Sequence, residues 1–189
     1  MAEVLLFHHI QGLTDGVTAF ADDLRAAGHT VHTPDLFEGR TFDSIEEGFG
    51  YAKETGFDAV RARGLAVADE LPAELVHAGF SFGVTIAQRL AQTRPGARGA
   101  LLLESCLPVS EFGTAWPAGV PVQIHGNEKD EFFDEDLPAA RELADSTSDA
   151  ELFVYPGEAH LFSDSSLPAY DAESAGLVKE RVLAFLAKL

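Results

Sequence analysis

The sequence is poor in cysteine, in basic residues and in long apolar runs. It has one cysteine, Cys106, so no intramolecular disulfide can form, and we expect a reducing, cytoplasmic setting. The start, Met1-Ala2-Glu3, lacks the positive charge of a secretory signal. Lysine and arginine number 13 against 31 acidic residues, and the net charge of −18 opposes nucleic acid and anionic membranes as partners. The apolar run at residues 4–7 is too short to span a bilayer.

The motifs that hold common cofactors are also missing. No G-x-G-x-x-G follows a predicted strand and no P-loop is present, so nothing favours a dinucleotide or a nucleoside triphosphate. The histidine pairs His8-His9 and His29/His32 lack acidic or sulfur ligands at a recognised spacing. We therefore expect neither a metal nor any other cofactor.

The pattern of apolar residues predicts one α/β domain covering residues 1–189. Hydrophobic residues make up 46% and charged residues 23% of the chain, a balance typical of globular proteins. Short Leu/Val-rich runs alternate with amphipathic stretches, which indicates a parallel sheet covered on both faces. We expect a doubly wound, mainly parallel sheet of about six strands in the order 2-1-3-4-5-6, with no lid. The predicted strands are residues 4–8, 30–33, 75–79, 99–104, 120–125 and 151–155.

The segment Gly79-Phe80-Ser81-Phe82-Gly83 is the strongest chemical signal. It matches G-x-S-x-G and lies between the third predicted strand and a predicted helix at residues 82–93. In this setting the pattern is typical of a nucleophile elbow, because the tight turn requires small residues on both sides of the serine. The motif therefore predicts Ser81 as a nucleophile at a helix N-terminus.

A serine nucleophile needs a histidine base, which in turn needs a carboxylate to orient it. His160 follows the last predicted strand and is the only histidine beyond His125, so it is the predicted base. Many acidic residues follow the fifth strand, and most of them are expected to be solvated. We favour Asp130 as the triad acid, with Glu128 as the alternative.

The predicted strand order places a binding crevice between the first and third strands. The backbone N–H of Phe82, with that of Ile10 or Gln11, could form an oxyanion hole there, and we favour Ile10. Gly12 suits such a turn but is equally well explained as an ordinary loop glycine.

Loop residues near the same edge of the sheet could line a small apolar pocket, although core packing is the default interpretation for each aromatic residue. Asp164 lies just beyond His160 and, with the net charge of −18, predicts a preference for uncharged acyl groups. Arg40 could offset this preference by binding a carboxylate. The candidate pocket residues are Gln11, Phe37, Arg40, Trp116 and Phe162.

Taken together, these segments resemble the dienelactone hydrolase family of α/β-hydrolases almost end to end. The resemblance includes Pro34-Asp35-Leu36-Phe37, His125-Gly126 followed by Asp130, and Tyr155-Pro156-Gly157 followed by His160. It implies a lidless hydrolase with a triad of Ser81, Asp130 and His160 and an oxyanion hole at Ile10 and Phe82.

The departures from the family narrow the expected function. The namesake enzymes have cysteine in the elbow, whereas this chain has Ser81, which implies an ordinary serine esterase. Here His160 leads into Asp164 instead of the substrate-binding arginine of those enzymes. We therefore expect a monomer or small homo-oligomer that cleaves a small ester or lactone. The alternatives are a thioesterase or small-amide hydrolase and, in another class, a non-catalytic ligand-binding or scaffold protein on the same fold.

Overall fold

The computed structural model describes residues 1–189 and contains one six-stranded sheet. Its strands are β1 (Glu3–Phe7), β2 (Thr30–His32), β3 (Val76–Phe80), β4 (Gly99–Leu103), β5 (Val122–Asn127) and β6 (Ala150–Tyr155). They follow the order β2-β1-β3-β4-β5-β6, and every neighbouring pair is parallel. The predicted fold class and strand order are confirmed.

Six α-helices cover the two faces of this sheet. They are α1 (Asp15–Ala26), α2 (Ile45–Thr55), α3 (Phe57–Asp69), α4 (Val84–Thr93), α5 (Glu131–Ser146) and α6 (Ala172–Leu186). Helices α1 and α6 pack on one face, and α2 to α5 pack on the other. None of the helices is both long enough and apolar enough to cross a bilayer.

Successive apolar side chains of a strand point to alternate faces of the sheet, so the sheet has a hydrophobic core on each face. In β1, Val4 and Leu6 join the cluster beneath α1 and α6, whereas Leu5 and Phe7 join the cluster beneath α2, α3 and α4. All four side chains are fully buried. Because successive side chains of a strand point to opposite faces, a central strand covered on both sides must be apolar throughout.

Helix α5 starts at Glu131, within the acidic run that follows the fifth strand. The side chain of Asp130 caps this helix by accepting a hydrogen bond from Phe132 N at 3.0 Å. The acidic run that suggested a solvated loop in fact forms the first turn, where negative charge is favoured by the helix dipole. The cap places Asp130 at the carboxyl end of the sheet.

Candidate active site

Ser81 lies in a sharp turn between β3 and α4. It begins a short 3-10 helix, Ser81–Gly83, and its φ is +46°, a region that few non-glycine residues adopt. A Cβ atom at Gly79 would lie 2.4 Å from the carbonyl carbon of Gly83, and one at Gly83 would lie 2.5 Å from the oxygen of Phe7. Both glycines are therefore sterically required, which is the property that the sequence motif predicted.

Three side chains from separate loops meet at this turn. Ser81 Oγ donates to His160 Nε2 at 2.7 Å, and His160 Nδ1 donates to Asp130 Oδ2 at 2.5 Å. A neutral imidazole with its proton on Nδ1 satisfies both bonds. The side chains of His160 and Asp130 are 7% and 1% exposed, whereas Glu128 is exposed to solvent. The structure therefore places Asp130, and not Glu128, against His160.

Hydrogen bonds between the loops after β5 and β6 hold His160 in place. Asn127 Nδ2 donates to the Ala159 carbonyl at 2.9 Å, and Lys129 N donates to the Gly157 carbonyl at 2.9 Å. The ring of Phe132 also packs on the His160 ring, with centroids 4.7 Å apart. Sequence reasoning missed Asn127, although its place at the end of a strand, just before the candidate acid, was a usable signal.

The loop after β1 leaves one backbone donor free beside the elbow. Gln11 N donates to His9 Nδ1 at 3.2 Å and Gly12 N donates to the His9 carbonyl at 3.1 Å, whereas Ile10 N has no acceptor in the chain. Phe82 is the second residue of its 3-10 helix, where N–H groups lack partners within the helix. Of the two candidates in the β1 loop, Ile10 is the one with an available N–H.

Gly12 is more than an ordinary loop glycine. Its φ is +96°, and a Cβ atom there would lie 2.4 Å from the Arg40 carbonyl oxygen. The loop after β1 thus lies directly against the loop after β2, and Gln11 Nε2 donates to the Phe42 carbonyl at 2.9 Å. This contact fixes the backbone next to Ile10.

Asp164 does not face the candidate site as expected. It is buried, and it accepts hydrogen bonds from His9 Nε2, at 2.8 Å, and from the side chains of Thr14 and Ser166. Burial raises its pKa, but these hydrogen bonds outweigh burial and lower the pKa to about 2. Because its oxygens are occupied inside the protein, the expected preference for uncharged substrates now rests on the net charge alone.

Most of the predicted pocket residues are packed in the interior. Phe37 and Phe162 have no exposed surface, and Trp116 is buried with its Nε1–H bonded to the Val120 carbonyl at 2.7 Å. Gln11 is also buried, so the prediction of these four as lining residues is corrected. Arg40 remains exposed, with its guanidinium 5.2 Å from the centre of the Tyr51 ring. Aromatic loop residues were needed to complete the core.

A surface cavity of about 340 Å³ opens beside His160. Its lining includes His160, Asp130 and Phe132, a residue that is 54% exposed. The remaining lining residues are Lys129, Glu131 and Glu158. The candidate histidine can therefore be reached from solvent without opening a lid.

Solved structures with the same fold include known and candidate hydrolases. A candidate dienelactone hydrolase from Klebsiella pneumoniae is 20% identical, with a TM-score of 0.76 over 100% of this chain and 88% of the other. A dienelactone hydrolase-like promiscuous phosphotriesterase from metagenomic libraries is 18% identical, with a TM-score of 0.74 over 100% and 87%. One of two metagenome-derived lipolytic enzymes is 17% identical, with a TM-score of 0.67 over 100% and 94%.

Comparison of the sequence itself gives the family. No curated protein matches the chain. The sequence profile of the dienelactone hydrolase family matches residues 1–189, the whole chain. The profile match, together with the α/β-hydrolase sheet order, shows that this chain belongs to the dienelactone hydrolase family.

Proposed function

We propose that this protein is a serine hydrolase that cleaves a small carboxylic ester or lactone through an acyl intermediate on Ser81. The observation that carries the proposal is the hydrogen-bonded series from Ser81 to His160 and on to Asp130, at 2.7 and 2.5 Å. Family membership supports hydrolysis in general. The geometry favours serine as the nucleophile.

In the first half of the reaction, His160 Nε2 accepts the Ser81 proton as Oγ forms a bond to the acyl carbon. Asp130 orients the imidazole and stabilises the imidazolium that results. The ester C–O bond then breaks, and His160 gives its proton to the departing oxygen. In the second half, His160 removes a proton from water, whose oxygen attacks the acyl carbon, and returns that proton to Ser81.

The negative charge that develops on the acyl oxygen needs preorganised donors. Ile10 N–H, which has no acceptor in the chain, and Phe82 N–H, at the start of the 3-10 helix, are the proposed pair. Gly12 and the neighbouring Arg40 carbonyl hold the Ile10 loop. This arrangement needs no cofactor.

The same groups would also act on a thioester or a small amide, so the choice of an ester or lactone rests on family membership. The cavity of about 340 Å³ beside His160 gives solvent access to the proposed base, and Ser81 is not among its lining residues. A non-catalytic ligand-binding protein would have no need of the strained Ser81 backbone at φ +46°. We propose a cytoplasmic enzyme, as the single cysteine suggested.

Labelling with a fluorophosphonate tests this proposal. We expect one adduct, located on Ser81 by peptide mapping, and a loss of about 10⁴-fold or more in hydrolysis of an activated acetate ester by Ser81→Ala. Ser148→Ala is the matched control, because Ser148 is exposed and precedes β6, at the opposite edge of the sheet. Labelling at another residue, or full turnover by Ser81→Ala, would remove the serine-hydrolase proposal.

A further inference from the structure

Glu104 is a buried carboxyl group that the mechanism above does not use. It follows β4, the strand next to the one that ends just before Ser81, and it is 1% exposed. Its φ is +64°, which is rare for a glutamate. Four non-glycine residues have positive φ, and all four lie in loops that follow strands at this edge of the sheet: Glu38, Ser81, Glu104 and Leu161. Strained backbone is concentrated at functional sites in proteins.

The carboxyl group of Glu104 holds the loop that carries His160. Its Oε1 accepts hydrogen bonds from Ser163 N at 3.0 Å and from Ser163 Oγ at 2.6 Å. Ser163 lies three residues beyond His160 in the same loop. The loop after β6 is therefore tied to the end of β4 as well as to Asn127 at the end of β5.

The second oxygen of this carboxyl group has no partner. Glu104 Oε2 is buried and makes no hydrogen bond, an arrangement that costs free energy and is uncommon in native proteins. Burial is the largest influence on Glu104 and raises its pKa overall, although a charge on His160 and the two hydrogen bonds from Ser163 act in the opposite direction. Linkage is reciprocal, so an ionised Glu104 must favour the protonated form of His160.

We propose that Glu104 is a positioning residue for His160, a second carboxylate that holds the histidine loop through Ser163 and stabilises the imidazolium together with Asp130. This inference deepens the proposed function and rests on His160 as its base. Asp130 supplies the direct hydrogen bond. Glu104 supplies charge through the protein interior, where solvent screens it little.

Other ionisable groups around His160 act differently. His9, in the loop after β1, donates through Nε2 to Asp164, and its Nδ1 accepts from Gln11 N. Lys129, Glu131 and Glu158 line the cavity beside His160 but are exposed to solvent, so water and salt weaken their effect on the histidine. Of the buried carboxyl groups at this edge, Asp130 bonds to His160 directly, Glu104 interacts with its charge, and Asp164 is paired with His9.

Histidine-selective NMR titration tests the inference without relying on activity. Glu104→Gln removes the charge while its amide oxygen can still accept from Ser163. We expect the protonation midpoint of His160, assigned with His160→Gln, to fall by about one pH unit, a tenfold change in the protonation equilibrium. Glu158→Gln is the matched control, because it removes an exposed carboxylate from the same cavity and should leave the midpoint nearly unchanged.

In the pH profile of fluorophosphonate labelling, the pH at which the rate falls on the acid side should also be lower by about one unit in Glu104→Gln. An unchanged midpoint in a folded Glu104→Gln protein would overturn the inference. If Glu104→Gln does not fold, Ser163→Ala is the deciding variant. It removes one hydrogen-bond donor from the Glu104 carboxylate, which favours the neutral carboxyl group, so the midpoint of His160 should fall by a smaller amount. An unchanged midpoint in Ser163→Ala would also overturn the inference. If the wild type takes up no label, the proposed function fails, but the NMR titration still tests the coupling.

Discussion

At the scale of single residues, burial separates two carboxylates that follow the same strand. Asp130 is 1% exposed and reaches His160 Nδ1 at 2.5 Å. Glu128 is exposed, and only its backbone N–H is held, by the Tyr155 carbonyl at 2.8 Å. The helix cap that Asp130 forms with Phe132 N fixes its carboxylate further. A group held in this way can orient an imidazole, whereas a solvated one cannot.

We expect Asp130→Asn to lower turnover of an activated ester by about four orders of magnitude, because asparagine would favour the wrong histidine tautomer. Glu128→Gln should change turnover little. Steady-state rates of both variants, with circular dichroism to verify folding, give the comparison. A larger loss of turnover in Glu128→Gln than in Asp130→Asn would assign the orienting role to Glu128.

At the scale of the element, helix α2 supports the candidate oxyanion loop through a glycine. Gly48 approaches so closely that a Cβ atom there would lie 2.0 Å from the Ile10 carbonyl oxygen. Gly50 lies in the same helix, and a Cβ atom there would meet nothing within 4 Å. Glycine in a helix interior lowers helix propensity at both positions. The structure distinguishes them because Gly48 alone faces another backbone segment.

Gly48→Ala should destabilise the fold by about 1–3 kcal/mol, because neither backbone can yield without repacking. It should also slow ester hydrolysis by displacing Ile10. Gly50→Ala, the control in the same helix, should stabilise by about 0.5–1 kcal/mol through helix propensity. Urea unfolding and ester turnover of both variants are the measurements. Equal stability of the two variants would contradict the proposed contact.

At the scale of the whole molecule, three buried histidines make the fold sensitive to acid. Burial is the main cause that lowers the pKa of His8 and His77 to about 4 and that of His125 to about 3. His8 and His125 have hydrogen-bond partners for their ring nitrogens, whereas neither nitrogen of His77 has one. All three are fully buried and neutral in the folded protein near pH 7.

The unfolded chain binds these protons near pH 6.5, whereas the folded chain binds them only near pH 4 or below. Stability should therefore be independent of these histidines above about pH 7 and should fall as the pH drops from about 6.5 to 4. The expected slope is roughly 1.4 kcal/mol per pH unit for each histidine.

His77→Leu should reduce the slope of unfolding free energy against pH by roughly 1.4 kcal/mol per pH unit below about pH 6.5. Urea unfolding from pH 8 to pH 4 measures this slope. Above pH 7 the slope of the variant should equal that of the wild type, since both states then hold a neutral imidazole, and this range is the internal control. An unchanged slope below pH 6 would show that His77 is protonated in the folded protein.

Local patterns in the sequence were sufficient for the fold and for the nucleophile. Leu/Val-rich strands alternating with amphipathic helices predicted the doubly wound sheet, because strands that are apolar on both faces must be covered by helices on both sides. The segment Gly79 to Gly83 predicted a strained serine turn, because its steric requirement is contained within five residues. The order of Ser81, Asp130 and His160 along the chain also anticipated which loops would meet.

Contacts between distant segments decided the remainder. Asp164 is paired with His9, 155 residues away, and Glu104 is tied to Ser163, 59 residues away. Residue type alone did not reveal that Trp116 and Phe162 complete the core instead of lining a pocket. The sequence by itself determined the sheet and the serine turn, whose causes are local. Only tertiary structure decided which carboxylates and aromatic rings lost contact with water, because burial depends on segments that are far apart in the chain.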